Sequence, residues 1–398
     1  MRSLRKKIVQ INSVCGIGST GRIATDIHNA LQVKGIDSYI MYGRGEARAC
    51  DRAIKISSQL DFYYHALQTR LFDNHGFCST KATHYAIKAL DELKPDIVHL
   101  HNIHGYYLNV ELLFSFLKKQ RNIKVIWTLH DCWPFTGHCS YFDFCGCDRW
   151  RKQCFTCPQK NAYPASNGLD NSKNNYQRKK KAFTGVKDLT IVTPSCWLAD
   201  LVKQSYLKDY PVQVVNNGID LSVFQPRQSE FRVRHNLVDK FLIMGAASVW
   251  SPRKGFDDFI ELATTLPDNY RLVMVGLPLD KIEVLPSNII GIHRTDNPTE
   301  LAEIYSAADV FFNPTYEDNY PTVNLEAIAC GTPVITYNTG GSPESVSTEH
   351  GFVVAKGDVG AVIGVVKNLS QQPFAMGKLP ISFDKDNFVD EMLALYHL

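Results

Sequence analysis

Short apolar runs alternate with amphipathic stretches along almost the whole chain. Runs rich in β-branched and aromatic residues predict buried strands, and the helix-length segments between them predict crossover helices. The predicted strands are Ile8–Ile11, Ser38–Met41, Ile97–Leu100, Val125–Leu129, Thr190–Thr193, Val212–Val215, Phe241–Ala246, Arg271–Val275, Ile289–Ile292, Val310–Asn313, Val334–Tyr337 and Phe352–Val354. Because parallel strands need such crossovers, the pattern predicts an α/β chain with two Rossmann-like parallel sheets.

A turn-forming cluster, Asn-Asn-Gly-Ile-Asp at 216–220, follows the sixth predicted strand. Clusters of this kind mark the connections between structural elements. We therefore expect an N-terminal domain at 1–216 and a C-terminal domain at 217–398. A last helix is expected from about Asp386 to Leu398, because Val389, Met392 and Leu393 recur near helical spacing.

The composition adds little charge to this picture, since 398 residues carry a formal net charge of +3 at pH 7. A charge this small argues against a nucleic-acid partner, and no apolar stretch approaches the roughly 20 residues that cross a bilayer. The basic residues 1–7 run directly into the first predicted strand rather than into a signal peptide. We expect a cytoplasmic protein. Its basic N-terminus could also touch the cytoplasmic face of a membrane, although solvated terminal cations are commoner.

The segment 313–344 carries the strongest chemical pattern. A predicted strand ends at Asn313, and a helix is expected from Pro321, at its first position, to Gly331, just past its end. The N-terminus of this helix therefore opens at the carboxyl end of a parallel strand, where free N–H groups favour a phosphate. Glu326, about one turn along, is placed to accept hydrogen bonds from sugar hydroxyls. The segment predicts a nucleotide-sugar site.

This segment resembles the acidic signature of glycosyltransferase family 4, whose members have the GT-B fold and retain the configuration of the transferred sugar. In that signature an acid, seven intervening residues and a Glu precede Gly-Thr-Pro-Val and Gly-Gly-x-x-Glu. Glu326 stands at the second acid, and Asp318 stands where the family usually has its first Glu. Glu317 could take that role by a one-residue shift. The resemblance covers most of the chain and is nearest to bacterial exopolysaccharide, colanic-acid and capsule glycosyltransferases.

The resemblance implies two Rossmann-like domains whose parallel sheets face each other across a cleft, with the last helix crossing back to the N-terminal domain. It also implies transfer from a nucleotide diphosphate sugar to a hydroxyl of a lipid-linked glycan, without a catalytic metal ion. Two alternatives stay open. One is a non-catalytic nucleotide-sugar or glycan-binding protein, and the other is a sugar-nucleotide epimerase of the same fold.

The resemblance also implies roles for individual residues. Lys254 matches the family's Lys-Gly after a strand, and Arg253 could replace the Arg that the family has at the position of Val249. The residues expected at the reacting sugar and the ribose are His130, Asp318 and Glu326. The expected donor-binding residues are Gly16, Gly18, Arg253, Lys254, Asn319, Tyr320, Pro321, Thr322 and Glu326.

The glycine-rich segment 16–21 follows the first predicted strand and matches G-x-G-x-x-G, which also fits a dinucleotide site. A dinucleotide site needs an acid about 20 residues further on, and this chain has Arg44 at the end of the second strand. We therefore favour a loop that approaches the donor phosphate, with Gly18 as the contact and a helix beginning near Arg22. A tight turn that requires positive φ is the alternative.

Histidines follow two neighbouring predicted strands, where open α/β sheets bind ligands. His130 matches a family histidine that contacts the transferred sugar, so we expect a sugar ligand rather than a nucleophile, while His101 and His104 would line the same region. Histidines satisfied within the core are the alternative. The aromatic segment 61–72 could face a lipid-linked acceptor, although a buried helix is commoner. The basic run 178–181 is expected to be a solvated face, with an acceptor pyrophosphate as the alternative.

Six of the eleven cysteines fall in an insert at 132–157. Cytoplasmic chains rarely keep disulfides, and C-x2-C spacing lets two thiolates hold one ion, so the cluster favours a structural zinc site. The expected ligands are Cys139, Cys147, Cys154 and Cys157, with Cys132, Cys145 or His138 as substitutes. The insert is rich in Gly and aromatic residues and is expected to be too polar to pack alone, so a metal would order it. Reduced, merely packed thiols are the alternative.

Overall fold

The computed structural model describes residues 6–397. The membrane contact expected of the basic N-terminus falls largely on residues 1–5, outside the described residues. The chain divides into two compact units, one of Met1–Val215 with Val389–Leu398 and the other of Asn216–Phe388. We call them unit 1 and unit 2. Each unit is built around its own parallel sheet.

The sheet of unit 1 has seven strands in the order β3-β2-β1-β4-β5-β6-β7, and every pair is parallel. Its strands are β1 (Lys7–Asn12), β2 (Asp37–Tyr42), β3 (Ala53–Lys55), β4 (Ile97–Leu100), β5 (Lys124–Thr128), β6 (Leu189–Thr193) and β7 (Val212–Val214). Its connecting helices are α1 (Gly18–Val33), α2 (Gln59–Phe72), α3 (Thr80–Leu93), α4 (Val110–Lys119), α5 (Ser172–Phe183) and α6 (Cys196–Gln204). The order reverses direction between β1 and β4, so the loops after these strands diverge and leave a crevice at their carboxyl ends.

The sheet of unit 2 has six strands in the order β10-β9-β8-β11-β12-β13, again all parallel. Its strands are β8 (Phe241–Ala246), β9 (Tyr270–Val275), β10 (Ile289–Ile292), β11 (Val310–Asn313), β12 (Val334–Tyr337) and β13 (Gly351–Val354). Its helices are α7 (Phe231–Arg234), α8 (Phe256–Thr265), α9 (Leu279–Ile282), α10 (Pro298–Ala307), α11 (Thr322–Ala329) and α12 (Val359–Gln371). The reversal lies between β8 and β11, which places the loops after both strands at one edge.

The last helix, α13 (Lys385–Leu395), begins among the residues of unit 2, and its residues from Val389 onwards belong to unit 1. Hydrogen bonds within unit 1 hold this C-terminal segment, and Lys6 Nζ, for example, donates to the His397 carbonyl at 2.8 Å. The Tyr396 hydroxyl lies 2.6 Å from His99 Nδ1, and Lys124 Nζ donates to the Leu395 carbonyl at 2.7 Å.

The twelve predicted strands are all present, which confirms the prediction of an α/β chain with two parallel sheets. The strand that the pattern missed is β3, which has three residues and no fully buried side chain. Such a short edge strand lacks the apolar run on which the prediction relied.

Two helix boundaries differ from the expectation. Pro321 has an extended ψ of 111° and lies at the N-cap of α11 rather than at its first helical position. The helix after the glycine loop begins at Gly18 instead of near Arg22. Gly331, with a φ of +84°, follows the end of α11 as expected.

The commoner explanation for the aromatic segment 61–72 was wrong, because this helix is not buried. Most large apolar side chains of α2 are exposed: Leu60, Tyr63, Tyr64, Leu67, Leu71 and Phe72. The expectation of a solvated face at 178–181 was also wrong in part. Arg178 pairs with Glu111 at 2.6 Å, and Lys179 is buried. No helix among residues 6–397 is both long and apolar enough to span a membrane.

Candidate active site

The predicted site residues form two groups, one on each unit. Unit 2 carries Arg253, Lys254, Asp318, Asn319, Tyr320, Pro321, Thr322 and Glu326, and unit 1 carries Gly16, Gly18 and His130. Each group follows the carboxyl ends of neighbouring central strands, in the loops and in the first turns of the helices after them, which is where open parallel sheets bind ligands.

In unit 2, two glycines let the loops after β8, β11 and β12 come together. A Cβ atom at Gly255 would clash with the Pro314 carbonyl, and a Cβ atom at Gly340 would clash with the Asp318 carbonyl. Both glycines have positive φ, +71° at Gly255 and +55° at Gly340. Only glycine combines this conformation with so close an approach.

The cations of this edge face the acids of the 313–344 segment. Lys254 Nζ lies 2.6 Å from Asp318 Oδ2, and Arg253 Nη1 donates to the Glu317 carbonyl at 3.2 Å. The Asp318 side chain is 19% exposed, whereas that of Glu317 is 1% exposed. Asp318 is therefore the acid that a ligand can reach, and the one-residue shift towards Glu317 is not favoured.

The N-terminus of α11 adds free backbone donors to this edge. Among the described residues no side chain caps this N-terminus, since Pro321 occupies the N-cap and has no side-chain acceptor. A helix start of this kind presents N–H groups and the positive end of the helix dipole. An anion bound here would lie beside residues 319–322.

Glu326 lies on α11, and a tyrosine of α10 orients its carboxylate through a hydrogen bond. The Tyr305 hydroxyl donates to Glu326 Oε2 at 3.2 Å, and the Glu326 side chain is largely buried. Burial raises the pKa of Tyr305, so the hydroxyl keeps its proton and remains a donor. Asn324, on the same helix, links β11 to the 342–345 turn. Its Oδ1 accepts from Asn313 Nδ2 at 2.9 Å, and its Nδ2 donates to Ser345 Oγ at 2.9 Å. These contacts fix the orientation of the helix.

In unit 1, the glycine loop after β1 is tight at Gly16 and open at Gly18. Gly16 has a φ of +68°, and a side chain there would clash with the Arg48 carbonyl. Gly18 has a φ of +65° with no atom within 4 Å of the position of a Cβ atom. The backbone at Gly18 is thus accessible to a ligand at the N-terminus of α1.

A cavity of about 390 Å³ lies beside this loop, within unit 1. Val14 and Ile17 of the loop line one side, and the N-terminal part of α2 lines the other. The side chains of Arg44, Lys55 and Phe62 border the space as well. Glu46 lines the cavity too, and its Oε1 lies 3.4 Å from Lys55 Nζ. The cavity therefore combines two cations and one carboxylate with an aromatic wall.

A chain of hydrogen bonds orients His130. Gln10 Nε2 donates to the Ala24 carbonyl, so Gln10 Oε1 accepts from His101 Nε2 at 3.0 Å. His101 Nδ1 then accepts from His130 Nε2 at 3.3 Å, and the two rings stack at 5.5 Å. Burial lowers the pKa of His130 to about 4 and that of His101 well below its ordinary value. His130 is therefore neutral at pH 7, with Nδ1 as an acceptor.

The other histidines of this edge serve the fold. His99 bridges Tyr396 and Thr128, and His104 Nε2 lies 2.9 Å from Asp131 Oδ2. Asp131 Oδ1 accepts from the Trp133 amide at 2.9 Å. The ring of His104 is buried among aromatic side chains, Trp133 and Tyr163 among them.

The cysteine insert packs through its aromatic side chains. Phe135, Phe142 and Trp150 are buried in the core of unit 1, and Phe142 stacks on Trp150 at 4.9 Å. Cys139 and Cys157 interact by a hydrogen bond, and Cys154 Sγ accepts from the Gly137 amide at 3.2 Å. Within residues 6–397, the group that brings three possible ligand atoms within 4.8 Å of one another is His28, Cys50 and Asp51. The sulfurs of Cys139, Cys147, Cys154 and Cys157 are not gathered that closely.

The sequence analysis missed the cluster around His28 as well as Gln10. His28, on α1, lies 2.9 Å from Ser38 Oγ and 2.9 Å from Asp51 Oδ1. A hydrogen bond from Cys15 and the nearby His28 lower the pKa of Cys50 to about 5. These residues come from four separate segments with no motif spacing. Gln10 alone carried a signal, as a polar residue inside an apolar strand.

Two protein families match the chain. The family described as "Glycosyltransferase Family 4" matches residues 20–223, and "Glycosyl transferases group 1" matches residues 227–384. WcaC of Escherichia coli (strain K12), assigned to colanic acid biosynthesis as a glycosyl transferase, is 24% identical over 366 residues, 88% of each chain. A Campylobacter jejuni N-acetylgalactosaminyltransferase, named for an N,N'-diacetylbacillosaminyl-diphospho-undecaprenol acceptor, is 28% identical over 40% of this chain and 44% of its own.

Solved structures share the fold over nearly the whole chain. Sucrose-phosphate synthase from Thermosynechococcus elongatus has a TM-score of 0.70 at 17% identity and covers 99% of this chain and 98% of its own. HepE of Anabaena, in complex with UDP and glucose, has a TM-score of 0.69 at 13% identity, with 99% and 100% covered. These likenesses show the GT-B fold, and the matched families are those of transferases rather than of non-catalytic binding proteins.

Proposed function

Because the chain belongs to glycosyltransferase family 4, we propose that it transfers a sugar, with retention of configuration, from a nucleotide diphosphate sugar to a glycan hydroxyl during cell-surface polysaccharide synthesis. The observation that carries this proposal is the edge of unit 2 where Lys254, Asp318, Glu326 and the start of α11 meet. It offers cations and backbone donors for a diphosphate beside carboxylates for hydroxyl groups.

The Lys254–Asp318 ion pair acts as an exchangeable contact. An incoming diphosphate brings more negative charge than one carboxylate, so it takes over Lys254, and Asp318 turns to a hydroxyl of the donor sugar. Arg253 and the backbone N–H groups of the first turn of α11, which begins at Thr322, add to the diphosphate site. Fixed cations of this kind stabilise the charge that develops on the departing nucleoside diphosphate.

Glu326 binds the ribose of the nucleotide. Its carboxylate is oriented by Tyr305, and as an acceptor it matches the two hydroxyl groups of a ribose ring. Asn319, Tyr320, Pro321 and Thr322 form the wall of the same site, and the first two side chains are buried.

On unit 1, Gly16 shapes the loop that lets Gly18 approach the donor phosphate, and His130 accepts a hydrogen bond from the transferred sugar. The low pKa of His130, about 4 because of burial, suits a neutral ligand better than a general base at pH 7. The departing phosphate then takes the proton of the acceptor hydroxyl, and no metal ion takes part in the transfer.

The acceptor is a glycan carried on a lipid diphosphate. Two features of unit 1 support this proposal. One is the cavity beside the glycine loop, in which the cations Arg44 and Lys55 outnumber the one carboxylate, Glu46. The other is the exposed apolar face of the adjacent α2. The Campylobacter relative is named for an acceptor of that class. The transfer would take place in the cytoplasm, at the inner face of the membrane, where the apolar side chains of α2 could lie among lipid headgroups.

We also propose that the cysteine insert holds a structural zinc ion through Cys139, Cys147, Cys154 and Cys157. Support comes from the four residues lining one small cavity together. The zinc would stabilise the insert and take no part in the chemistry.

The experiment is a panel of UDP-, GDP-, ADP- and dTDP-sugars incubated with the protein, with release of nucleoside diphosphate as the readout. One donor should turn over, and Glu326→Ala should abolish that turnover while Glu283→Ala, an exposed carboxylate of the same unit, leaves it unchanged. NMR of the product should show the anomeric configuration of the donor. Turnover that survives in Glu326→Ala, or an inverted product, would contradict the proposal.

A further inference from the structure

A cluster of possible metal ligands lies beside the glycine loop of unit 1 and uses no residue of the cysteine insert. One ligand atom of His28, one of Cys50 and one of Asp51 lie within 4.8 Å of one another. Cys50 also forms a hydrogen bond with Cys15 and packs beside it in a small apolar cluster. An imidazole, two thiols and a carboxylate thus meet, although they come from three separate segments of the chain.

The separations in this cluster fit a tetrahedral ion. Zinc binds sulfur at about 2.3 Å and nitrogen or oxygen at about 2.0–2.2 Å, so two of its ligand atoms lie about 3.3–3.8 Å apart. The observed separations bracket that range, from 2.9 Å between His28 Nε2 and Asp51 Oδ1 up to the limit of 4.8 Å for the group. Rotation of the exposed Asp51 and the partly exposed Cys50 side chains is enough to adjust them.

The surroundings of His28 suit a metal ligand. Its Nδ1 lies 2.9 Å from Ser38 Oγ, on the strand β2. When Nδ1 donates to that hydroxyl, Nε2 presents its lone pair to the cluster, and a partner of this kind orients most ligating histidines. The His28 side chain is fully buried, whereas that of Asp51 is exposed. The cluster therefore has a fixed ligand at its base and an open side through which an ion can enter.

Two simpler explanations each account for only part of the cluster. An ion pair between His28 and Asp51 does not involve the thiol of Cys50, which also lies next to the imidazole. A disulfide between Cys15 and Cys50 would involve neither His28 nor Asp51. Thiolate, imidazole and carboxylate groups together are the ligand types that zinc takes in proteins.

We infer that one zinc ion binds at this cluster, and its ligands are Cys15, His28, Cys50 and Asp51. The two thiols bind as thiolates and release their protons to the solvent. The ion takes no part in sugar transfer. The inference is therefore independent of the proposed transferase activity and of the zinc ion proposed for the cysteine insert.

The position of the site gives the ion a structural task. Cys15 directly precedes Gly16 of the glycine loop, and its carbonyl accepts from the Arg48 amide at 3.2 Å. A Cβ atom at Gly16 would clash with the Arg48 carbonyl, so the segment 48–51 packs closely on the loop. An ion held by the loop, by α1 and by this segment would fasten all three at one point and fix the shape of the loop.

The first test is the zinc content of the full-length chain, measured by mass spectrometry after equilibration with zinc in a reducing buffer and gel filtration. Cys50→Ser should hold one zinc fewer per chain than the wild type, whatever the insert holds. Cys196→Ser, which removes an exposed cysteine of the same unit, should hold as much as the wild type. Equal zinc in Cys50→Ser and the wild type would overturn the inference. Cys154→Ser, measured in the same series, reports on the insert alone.

The second test is Asp51→Asn, which changes an exposed side chain and leaves the buried ligands in place. Competition with a chromogenic chelator measures the affinity for the zinc that Cys50→Ser lacks. This affinity should fall at least about tenfold, since loss of a group that only orients a ligand already costs that much. Asp91→Asn, at an exposed aspartate of α3, should leave the affinity unchanged. The same affinity in both variants would exclude Asp51 and contradict the proposed ligand set.

A third measurement needs no variant to fold. X-ray absorption at the zinc edge of the wild type should show nitrogen or oxygen ligands at about 2.0–2.2 Å beside sulfur at about 2.3 Å. A shell of sulfur alone would place all the zinc in the cysteine insert and would overturn the inference.

Discussion

The carboxyl edge of the sheet in unit 2 is built from charges, and the corresponding edge of unit 1 is built from neutral histidines. Lys254 faces Asp318 and Arg253 faces Glu317 in unit 2, whereas a chain of hydrogen bonds links Gln10, His101 and His130 in unit 1. Charged groups that already pair with each other can exchange their partners when an anion arrives. Neutral imidazoles can only donate and accept hydrogen bonds.

This difference shows how the same sheet topology can bind two chemically different ligands. Both edges lie at a reversal of strand order, so the fold places a crevice in each unit. The side chains then decide what the crevice binds. A diphosphate needs the fixed charges of unit 2, while a sugar ring, which has no charge, is read by acceptors such as His130.

Removal of the Lys254 cation is expected to have the largest effect on the charged edge of unit 2. Lys254→Ala should lower kcat/KM by about 10²–10³-fold, because a cation on the departing diphosphate acts mainly in the transition state. Steady-state release of nucleoside diphosphate measures the effect. Lys281→Ala, an exposed lysine of the same unit, is the matched control. Equal activity of the two variants would show that the charges of this edge are not the diphosphate site.

The buried neutral histidines of unit 1 predict a pH effect confined to that unit. Burial lowers the pKa of His65 and of His99 to about 3, below the ordinary 6.5 of the unfolded chain. The unfolded state therefore binds more protons as the pH falls below 6.5, and unit 1 should lose on the order of 2 kcal/mol or more between pH 7 and pH 5. His28 and His138 titrate the other way, because hydrogen bonds outweigh burial and raise the pKa of each.

Hydrogen exchange followed by mass spectrometry, with rates corrected for intrinsic pH dependence, resolves this effect by segment. Protection of the strands β1, β4 and β5 should fall at pH 5, and protection of β8, β11 and β12 should change less. His99→Gln, which keeps the ring's hydrogen-bonding capacity without a titratable group, should reduce the loss. A uniform loss in both units would remove the distinction between the two edges.

The sequence predicted the charged edge better than the neutral one, for a physical reason. Residues 313–344 form one strand, loop, helix and strand, so the spacing of Asp318 and Glu326 in sequence fixes their spacing in space. His130 instead contacts His101, which directly follows β4 and lies 29 positions earlier, and His101 contacts Gln10 on β1, a further 91 positions earlier. Strand order alone brings these residues together. A single sequence contains no local signal for such contacts.

Exposure was the property that the sequence predicted least well. The aromatic residues of α2 and the basic residues of α5 both departed from the commoner explanation, α2 by facing outward and Lys179 by facing inward. Amphipathic spacing shows that a helix has two faces, and it does not show which face another element covers. The burial of the cysteine insert was also not predicted, since its aromatic side chains pack in the core although its composition is polar.

The central claim is that the diphosphate of the donor displaces Asp318 from Lys254. Isothermal titration of the free nucleoside diphosphate, in wild type and in Asp318→Asn, tests it most directly. If the claim is right, Asp318→Asn binds the nucleoside diphosphate at least as tightly as the wild type, by up to a few-fold more, because the competing carboxylate is gone, and it transfers sugar slowly because the sugar contact is lost. Weaker binding of the nucleoside diphosphate in Asp318→Asn would contradict the account.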